Sequence, residues 1–308
     1  MLKIGVLGLG NIAQKAYLPV MAQLQDQVDW VLCTRNVAKL KHLQQQFGFQ
    51  HTAADLDALL ALKPAAIFIH TPTPTHAAYI EKCLRAGVHV YVDKPVSDNV
   101  AEVKRLYQLA AQQGLLLTAG FNRRFAPLNA KLQQRQPAET VIAQKNRVAT
   151  LQPVPFVIFD LMPHVIDTAL FLLGQTPTHY HYRVLAQQGN LQQASVVMET
   201  PTATAYALLN MQAGANSETG ELQNPQGIAQ VTDLATYTLQ VNGVTTQEQF
   251  PDWTPNLERR GFAPLIRHFI AAIQGKQANP VSPASSILTH QVCQNLLAYA
   301  QKNELTKA

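Results

Sequence analysis

A short apolar strand, Leu2–Leu7, runs directly into Gly8-x-Gly10-x-x-Ala13, and a helical pattern follows. This strand–turn–helix junction restricts the fold more than any other stretch of the chain. Gly8 allows the tight turn. Gly10 has no side chain, so its backbone can approach a pyrophosphate closely. Ala13 is small enough for the helix to pack on the strand. The N–H groups at the helix start, around Asn11 and Ile12, then face the phosphates of a bound dinucleotide. Glycines alone are a weak signal, because many tight turns use them. Their place after the first strand of an alternating strand–helix series makes the signal strong.

That series runs to about residue 119. Val28–Cys33, Ala65–Ile69, Val88–Val92 and Leu115–Thr118 read as further strands, numbered second, fourth, fifth and sixth. Helical stretches cover Ile12–Gln25 (with Pro19 a blemish), Val37–Phe47, Asp55 to Leu60 and Thr75–Ala86. Another, capped by Ser97 or Asp98, runs to Gln113. Gly48, Gly87 and Gly114 supply stop signals. The pattern predicts a doubly wound parallel sheet, an α/β fold whose ligands bind beyond the carboxyl ends of the strands.

After Gly120 the texture changes. Helices are expected over 122–134, 159–173, 257–274 and 284–302. Six β-rich runs lie over 141–148, 178–185, 194–199, 203–211, 235–241 and 244–250, with Asn242-Gly243 as a hairpin turn. The polar stretch 212–226 reads as a mobile loop. The expected organisation is a Rossmann NAD(P)-binding domain over 1–119 and an α+β domain over 120–308. The second is built around a mainly antiparallel sheet. The last helix is free to pack back on the first domain.

The length of 308 residues suits two domains, and 47% hydrophobic residues is ample for their cores. Net charge is only +5, and basic runs stop at the pairs Arg123-Arg124 and Arg259-Arg260. A mildly basic enzyme with an anionic cofactor explains this better than a nucleic-acid partner. No apolar run approaches the ~18 residues of a membrane span. Cys33, Cys83 and Cys293 are far apart and lack zinc spacing, and the chain opens on a strand with no leader pattern ahead. These features predict a reduced, cytoplasmic setting and no metal site.

The second strand ends Cys33-Thr34-Arg35-Asn36. Sites for NAD carry an acid here, which accepts from the ribose 2′-hydroxyl. Asp29 has that chemistry but lies at the strand's other end. Thr34 and Arg35 suit a 2′-phosphate, so NADP is the expected cofactor. The alternative is NAD, held through Thr34 and backbone.

Three further clusters carry candidate chemistry. Thr71-Pro72-Thr73-Pro74-Thr75-His76 follows the fourth strand, where Thr71, Pro72 and His76 either line the cofactor site or merely open a helix. Asp93-Lys94-Pro95 follows the fifth strand, which puts Lys94 in the ligand crevice beside a carboxylate. In Asp160-Leu-Met-Pro-His164-Val-Ile-Asp167, Asp160 and His164 share a helix face at i,i+4. His164 is then a general base oriented by Asp160. Asp167, three beyond His164, reads as either a second orienter or a helix charge, with the charge preferred.

Taken together, the glycine turn, Thr71-Pro72 with His76, the run Ala86-Gly87-Val-His-Val-Tyr-Val-Asp93-Lys94-Pro95 and Asp160-x-x-x-His164 resemble the Gfo/Idh/MocA oxidoreductases. Gly120-Phe-Asn-Arg-Arg-Phe-Ala-Pro127 and Leu257-Glu-Arg-Arg-Gly-Phe262 resemble the MviM-like branch. The resemblance covers nearly the whole chain. It implies a Rossmann domain plus an open-sheet domain that builds homodimers or homotetramers. It also implies reversible hydride transfer between nicotinamide and a secondary alcohol of a sugar, polyol or cyclitol. Lys94 would hold the substrate hydroxyl and nicotinamide, Asp160 and His164 would handle the proton, and Asn122 and Arg124 would contact substrate. Many members carry glycines around the Asp and His, where this chain has Phe156-Val-Ile-Phe159 and Leu-Met-Pro. That departure bears on pocket shape, and so on the substrate. Two other readings share the motifs: a non-catalytic NAD(P)-binding sensor, and a nicotinamide-dependent lyase or glycosidase with internal cofactor recycling.

Overall fold

The structure, a computed structural model, describes residues 1–307. The chain divides into two compact units. Met1–Gly120 and Phe262–Ile287 form one; Phe121–Gly261 and the segment 288–307 form the other. The chain therefore passes between units more often than a single boundary near residue 120 anticipates.

The first unit is a six-stranded sheet of β1 (Leu2–Leu7), β2 (Val28–Cys33), β3 (His51–Ala53), β4 (Ala66–Ile69), β5 (His89–Val92) and β6 (Leu117–Ala119). Every pairing is parallel, in the order β3-β2-β1-β4-β5-β6. This is the doubly wound arrangement, with its switch point between β1 and β4. The third strand, to which the sequence assigned no range, is three residues long, too short for a periodic signal. Beneath the sheet lies an aromatic cluster. Phe68 stacks on Tyr91, and Phe269, from the helix Phe262–Ile273, meets Phe68 edge-on at 5.2 Å. Asn279 donates to the Leu117 carbonyl and accepts from Thr118. These contacts tie 262–287 to this unit.

Several helix boundaries depart from expectation, each for a local reason. The first helix is interrupted by a π turn over Ala13–Tyr17, because Pro19 has no N–H to continue the ladder. The cap of the helix Val100–Gln112 is Asn99, whose side chain accepts from the Ala101 N–H. Ser97 instead donates to Glu102 and accepts from Asn99. Asp55 caps Leu56–Ala61 as expected, and Gly48 ends Val37–Phe47 at φ 74°.

The second unit carries an eight-stranded sheet: β7 (Thr140–Val148), β8 (His179–Gln187), β9 (Asn190–Glu199), β10 (Thr204–Ala213), β11 (Ser217–Asn224), β12 (Gly227–Thr232), β13 (Thr236–Val241) and β14 (Val244–Gln249). The order is β14-β13-β12-β11-β7-β10-β9-β8, antiparallel throughout except for β7 with β10. The helix Met162–Leu173, buried on nearly all sides, packs against β7, β10 and β11. Alternate residues such as Val196, Met198, Ala205, Ala207 and Leu209 face it from the sheet.

Here lies the largest correction. The stretch 212–226 is not a mobile loop. Its core is β11, a central strand paired on both sides. Its Leu222 is its only large apolar residue, and the strand is held by backbone pairing and by ion pairs rather than propensity. The expected helix over 122–134 is a 3-10 turn, Asn122–Phe125, followed by Pro127–Gln133. Pro127 forces Ala126 into the extended region, which ends one segment before the next begins. The expected helix over 159–173 is two helices, Val154–Asp160 and Met162–Leu173, bent by 41° with Pro163 opening the second. The expected helix over 257–274 breaks into Asn256–Arg259 and Phe262–Ile273. No single helix among the described residues is long and apolar enough to cross a membrane.

Candidate active site

Ladder hydrogen bonds continue one residue past the strands of the first unit. Gly8 N–H donates to Cys33, His70 to Leu7, Asp93 to Ile69 and Gly120 to Val92. These four residues therefore stand in a row along the carboxyl edge of the sheet, where ligands of this fold bind.

Gly8 adopts φ 90°, and a Cβ there would sit 2.8 Å from the Thr71 backbone nitrogen. No other residue type fits that turn without strain. A Cβ on Gly10 would meet nothing nearer than 3.9 Å, so the backbone at Gly10 faces open space. That space is a cleft of about 370 Å³ lined by Gly8, Gly10, Thr34, Arg35, His70 and Thr71, among others. Pro72 lines it as well. Asn11 and Ile12 are exposed at the start of the first helix. Asp29 does not line the cleft; its carboxylate lies 3.4 Å from His51.

Beyond β2 the cleft wall is cationic. Arg35 and Lys39 line it, and neither has a carboxylate partner among the described residues. Asp55 accepts from the Ala58 N–H, and Asp57 pairs with Lys82 at 2.6 Å. Thr34 accepts weakly from Asn36 at 3.4 Å. Lys39 was not picked out from sequence; its position in the first turn of the helix after Arg35 was the available signal.

His76 takes a different role from the one expected. It is buried, it does not line the cleft, and both ring nitrogens face carbonyl oxygens. Nδ1 is 2.8 Å from Pro95 and Nε2 is 2.7 Å from Thr71. Carbonyls only accept, so both contacts are hydrogen bonds when both nitrogens carry hydrogen. The ring clips the Thr71 turn to the loop after Lys94. Asp93 accepts from Tyr17, whose oxygen lies 3.0 Å from that of Tyr91. Burial pushes the Asp93 carboxyl up from its ordinary value, while Lys94, Tyr17 and His76 pull it back.

The sequence also passed over His70. Its side chain is buried and neither ring nitrogen has a hydrogen-bond partner. An orphaned buried polar group costs roughly 1–3 kcal/mol. Open space at Gly10 and a left-handed glycine at the turn both fit a bound dinucleotide.

The second unit gathers a buried charge cluster around Arg123. Its guanidinium grips Glu218 with Nε at 2.8 Å and Nη2 at 3.1 Å. Its Nη1 reaches Asn122 Oδ1 and His164 Nδ1, each at 3.1 Å. Lys145 donates to the same Glu218 at 2.5 Å. Burial alone raises the Glu218 carboxyl, but Arg123 and Lys145 outweigh it and hold the group well below the usual carboxylate range. Burial lowers the Lys145 ammonium, partly offset by Glu218. Sequence reading missed Glu218 because it sits in the stretch taken for a loop.

Asp160 ends one helix and His164 lies in the first turn of the next, with a bend of 41° between the two helices. The Arg123 guanidinium, which can only donate, lies against the His164 ring, with Nη1 3.1 Å from Nδ1 and 3.5 Å from Nε2. Arg124 is engaged elsewhere, forked onto Asp167 with its Nε at 2.7 Å from Oδ2. Asp167 is buried and also accepts from Thr289, so it is not a solvated helix charge. Asn122 is buried, donating to the Arg260 carbonyl at 2.8 Å.

A sequence model of the oxidoreductase family with an NAD-binding Rossmann fold matches residues 2–121. The protein named oxidoreductase YceM of Salmonella typhimurium is 33% identical over 300 residues, 96% of this chain and 97% of that one. A UDP-N-acetylglucosamine 3-dehydrogenase of Acidithiobacillus ferrooxidans is 35% identical over 125 residues, 40% of either chain. The crystal structure of a dehydrogenase, MviM, from Clostridium difficile superposes with a TM-score of 0.92 at 26% identity, covering 97% of this chain and 99% of that one. With the glycine turn, the parallel sheet and this full-length similarity in place, the chain belongs to the Gfo/Idh/MocA family of NAD(P)-dependent oxidoreductases.

Proposed function

We propose that the protein transfers a hydride reversibly between a nicotinamide cofactor, NADP in preference to NAD, and a secondary alcohol or ketone of a sugar, polyol or cyclitol. The observation that carries this reading is His164, whose ring is held against a buried guanidinium that is itself anchored on Glu218. A passive sensor has no use for so constrained an imidazole. The sugar-dehydrogenase relative supports the substrate class.

A nicotinamide, when bound, supplies the hydride acceptor or donor. The Lys94 ammonium donates to the substrate oxygen as negative charge develops on it. His164 takes the hydroxyl proton in the oxidation direction.

Preference for NADP rests on Arg35 and Lys39 in the cleft wall. A hydrogen bond to a charged group contributes roughly 1.5–3 kcal/mol. Arg35→Ala is thus expected to weaken NADPH binding about 10- to 100-fold and leave NADH nearly unchanged. Tighter binding of NADH than NADPH by the wild-type protein would reverse the preference. A panel of polyols and ketoses, followed by absorbance of the reduced cofactor, tests the reaction. Net turnover supports a dehydrogenase. Substrate cleavage without net turnover points to internal recycling, and binding without either points to a sensor.

The resemblance also carries the expectation of a homodimer or homotetramer and of a cytoplasmic setting, and we extend both to this chain as proposals. Sedimentation and fractionation test them.

A further inference from the structure

Arg260 is a guanidinium whose backbone is fixed and whose side chain has no acceptor. It closes the short helix Asn256–Arg259, its N–H donating to the Asn256 carbonyl at 3.0 Å. Gly261 follows at φ 79° and lies backbone to backbone on the turn after Asn122. A Cβ there would sit 2.1 Å from the Asn122 carbonyl oxygen and 2.5 Å from the Ala126 nitrogen. Asn122 completes the attachment. Its Nδ2 donates to the Arg260 carbonyl at 2.8 Å. Its Oδ1 accepts from Arg123 Nη1, the nitrogen that also lies against His164. Three contacts in series therefore tie the Arg260 backbone to the His164 ring.

The side chain is half-buried, yet its guanidinium makes no hydrogen bond or ion pair among the described residues. Arg123, Glu218 and Asp233 are near enough for their charges to act on it. Burial, with Arg123 adding to it, outweighs the two carboxylates and lowers the group from its ordinary value. Neither carboxylate serves it as an acceptor. Glu218 is taken up by Arg123 and Lys145, and Asp233 accepts from the Glu218 N–H. The adjacent Arg259 differs, because its Nε is sealed from solvent, whereas no nitrogen of Arg260 is. Five N–H donors, in a fork that matches a carboxylate or phosphate, are thus unclaimed and reachable. A partly buried cation without an acceptor costs free energy in the unliganded fold, and an arriving anion offsets that cost.

We propose that Arg260 binds an oxyanion of the substrate, a carboxylate or a phosphate, so that the alcohol oxidised beside His164 belongs to an acidic sugar or polyol. This deepens the reading of His164 as the proton acceptor and rests on it.

Calorimetric titration of the protein loaded with oxidised cofactor tests the assignment without turnover. Matched neutral and acidic compounds are the probes. Glucose against glucuronate isolates the carboxylate, and glucose against glucose 6-phosphate isolates the phosphate. An acidic member is expected to bind tenfold or more tightly than its neutral counterpart. Arg260→Ala is expected to abolish that preference. Arg260→Lys is expected to restore part of it, because an ammonium keeps the charge and loses the fork. Melting temperatures of both variants are expected at or above that of wild type, since no side-chain contact is removed. In protein carrying nitrogen-labelled arginine, inorganic phosphate is expected to shift the Arg260 Nε signal. Equal affinity within both pairs would overturn the proposal. A loss in Arg260→Ala shared equally by neutral and acidic members would overturn it in favour of a structural role. Weaker binding of NADPH or NADH themselves would overturn it in favour of a cofactor contact. Arg260-dependent binding of an acid that is never turned over upholds the proposal and refutes hydride transfer. Turnover of neutral polyols alone, indifferent to Arg260, does the reverse.

Discussion

Lys94→Ala and His164→Ala are each expected to lower kcat about a hundredfold or more once a substrate is in hand. The two losses have different origins. An ammonium aimed at developing oxyanion charge typically contributes about 10²–10³ in rate. A positioned acid–base group contributes about 10²–10⁴. Lys94 follows β5 on the carboxyl edge of the sheet, and His76 fixes the backbone at the next residue. Its replacement therefore removes charge without removing the turn. His164 is expected to affect kcat with little change in cofactor affinity, since the cofactor cleft of the first unit is built without it. Lys94→Ala is expected to weaken cofactor or substrate binding as well. The double variant is expected to lose less than the product of the single losses, because groups that serve one proton and one oxygen act together. Melting temperatures near wild type would separate chemistry from folding. Near-normal turnover in either single variant would refute its assignment.

The sequence conveyed the first unit well because its signals are local. The glycine turn, the short buried strands and the stops at Gly48 and Gly87 depend on neighbours within a few residues. Helix breaks were less legible, although three have a proline at or near them, Pro19, Pro127 and Pro163, and the fourth has Gly261 at φ 79°. A proline's effect depends on which carbonyl loses its partner, and pattern counting does not weigh that. The second unit's main strand was invisible for a different reason. The segment Ser-Glu-Thr-Gly-Glu-Leu-Gln-Asn has the composition of a loop, yet it pairs with β7 and β12 and sends Glu218 to Arg123 and Lys145. Those partners are 95 and 73 residues away. No window along the chain contains them, so neither the strand nor the support of His164 was there to be read. His70 was passed over because a histidine beside a Thr-Pro turn carries no mark of orphaned nitrogens until the packing around it is known.

The same long-range cluster sets the largest stability effect. Glu218→Gln is expected to remove roughly 3–5 kcal/mol of stability from the second unit, the usual consequence of deleting one member of a buried ion pair. The reason is not the pair's own strength. Arg123 and Lys145 are 7% and 10% exposed at their side chains, and without the carboxylate two cations face each other out of water. Replacing the partner as well relieves part of this, so Arg123→Gln with Glu218→Gln is expected to be less destabilised than the sum of the two. The pH dependence follows from the direction of the shift. The folded Glu218 carboxyl lies below its unfolded value. Its contribution is therefore complete above the ordinary carboxylate range, near pH 4.3. It declines as pH falls from there toward the folded value, by up to about 1.4 kcal/mol per pH unit for one proton. Glu218→Gln is expected to flatten that acid limb while lowering the plateau. Amide exchange over 140–148 and 217–224 gives the local readout, since β7 and β11 pair directly through this cluster. Faster exchange there, with protection of the first-unit strands unchanged, is the expected result. A plateau within 1 kcal/mol of wild type would mean that water reaches the cluster and that Arg123 does not depend on Glu218 to hold His164.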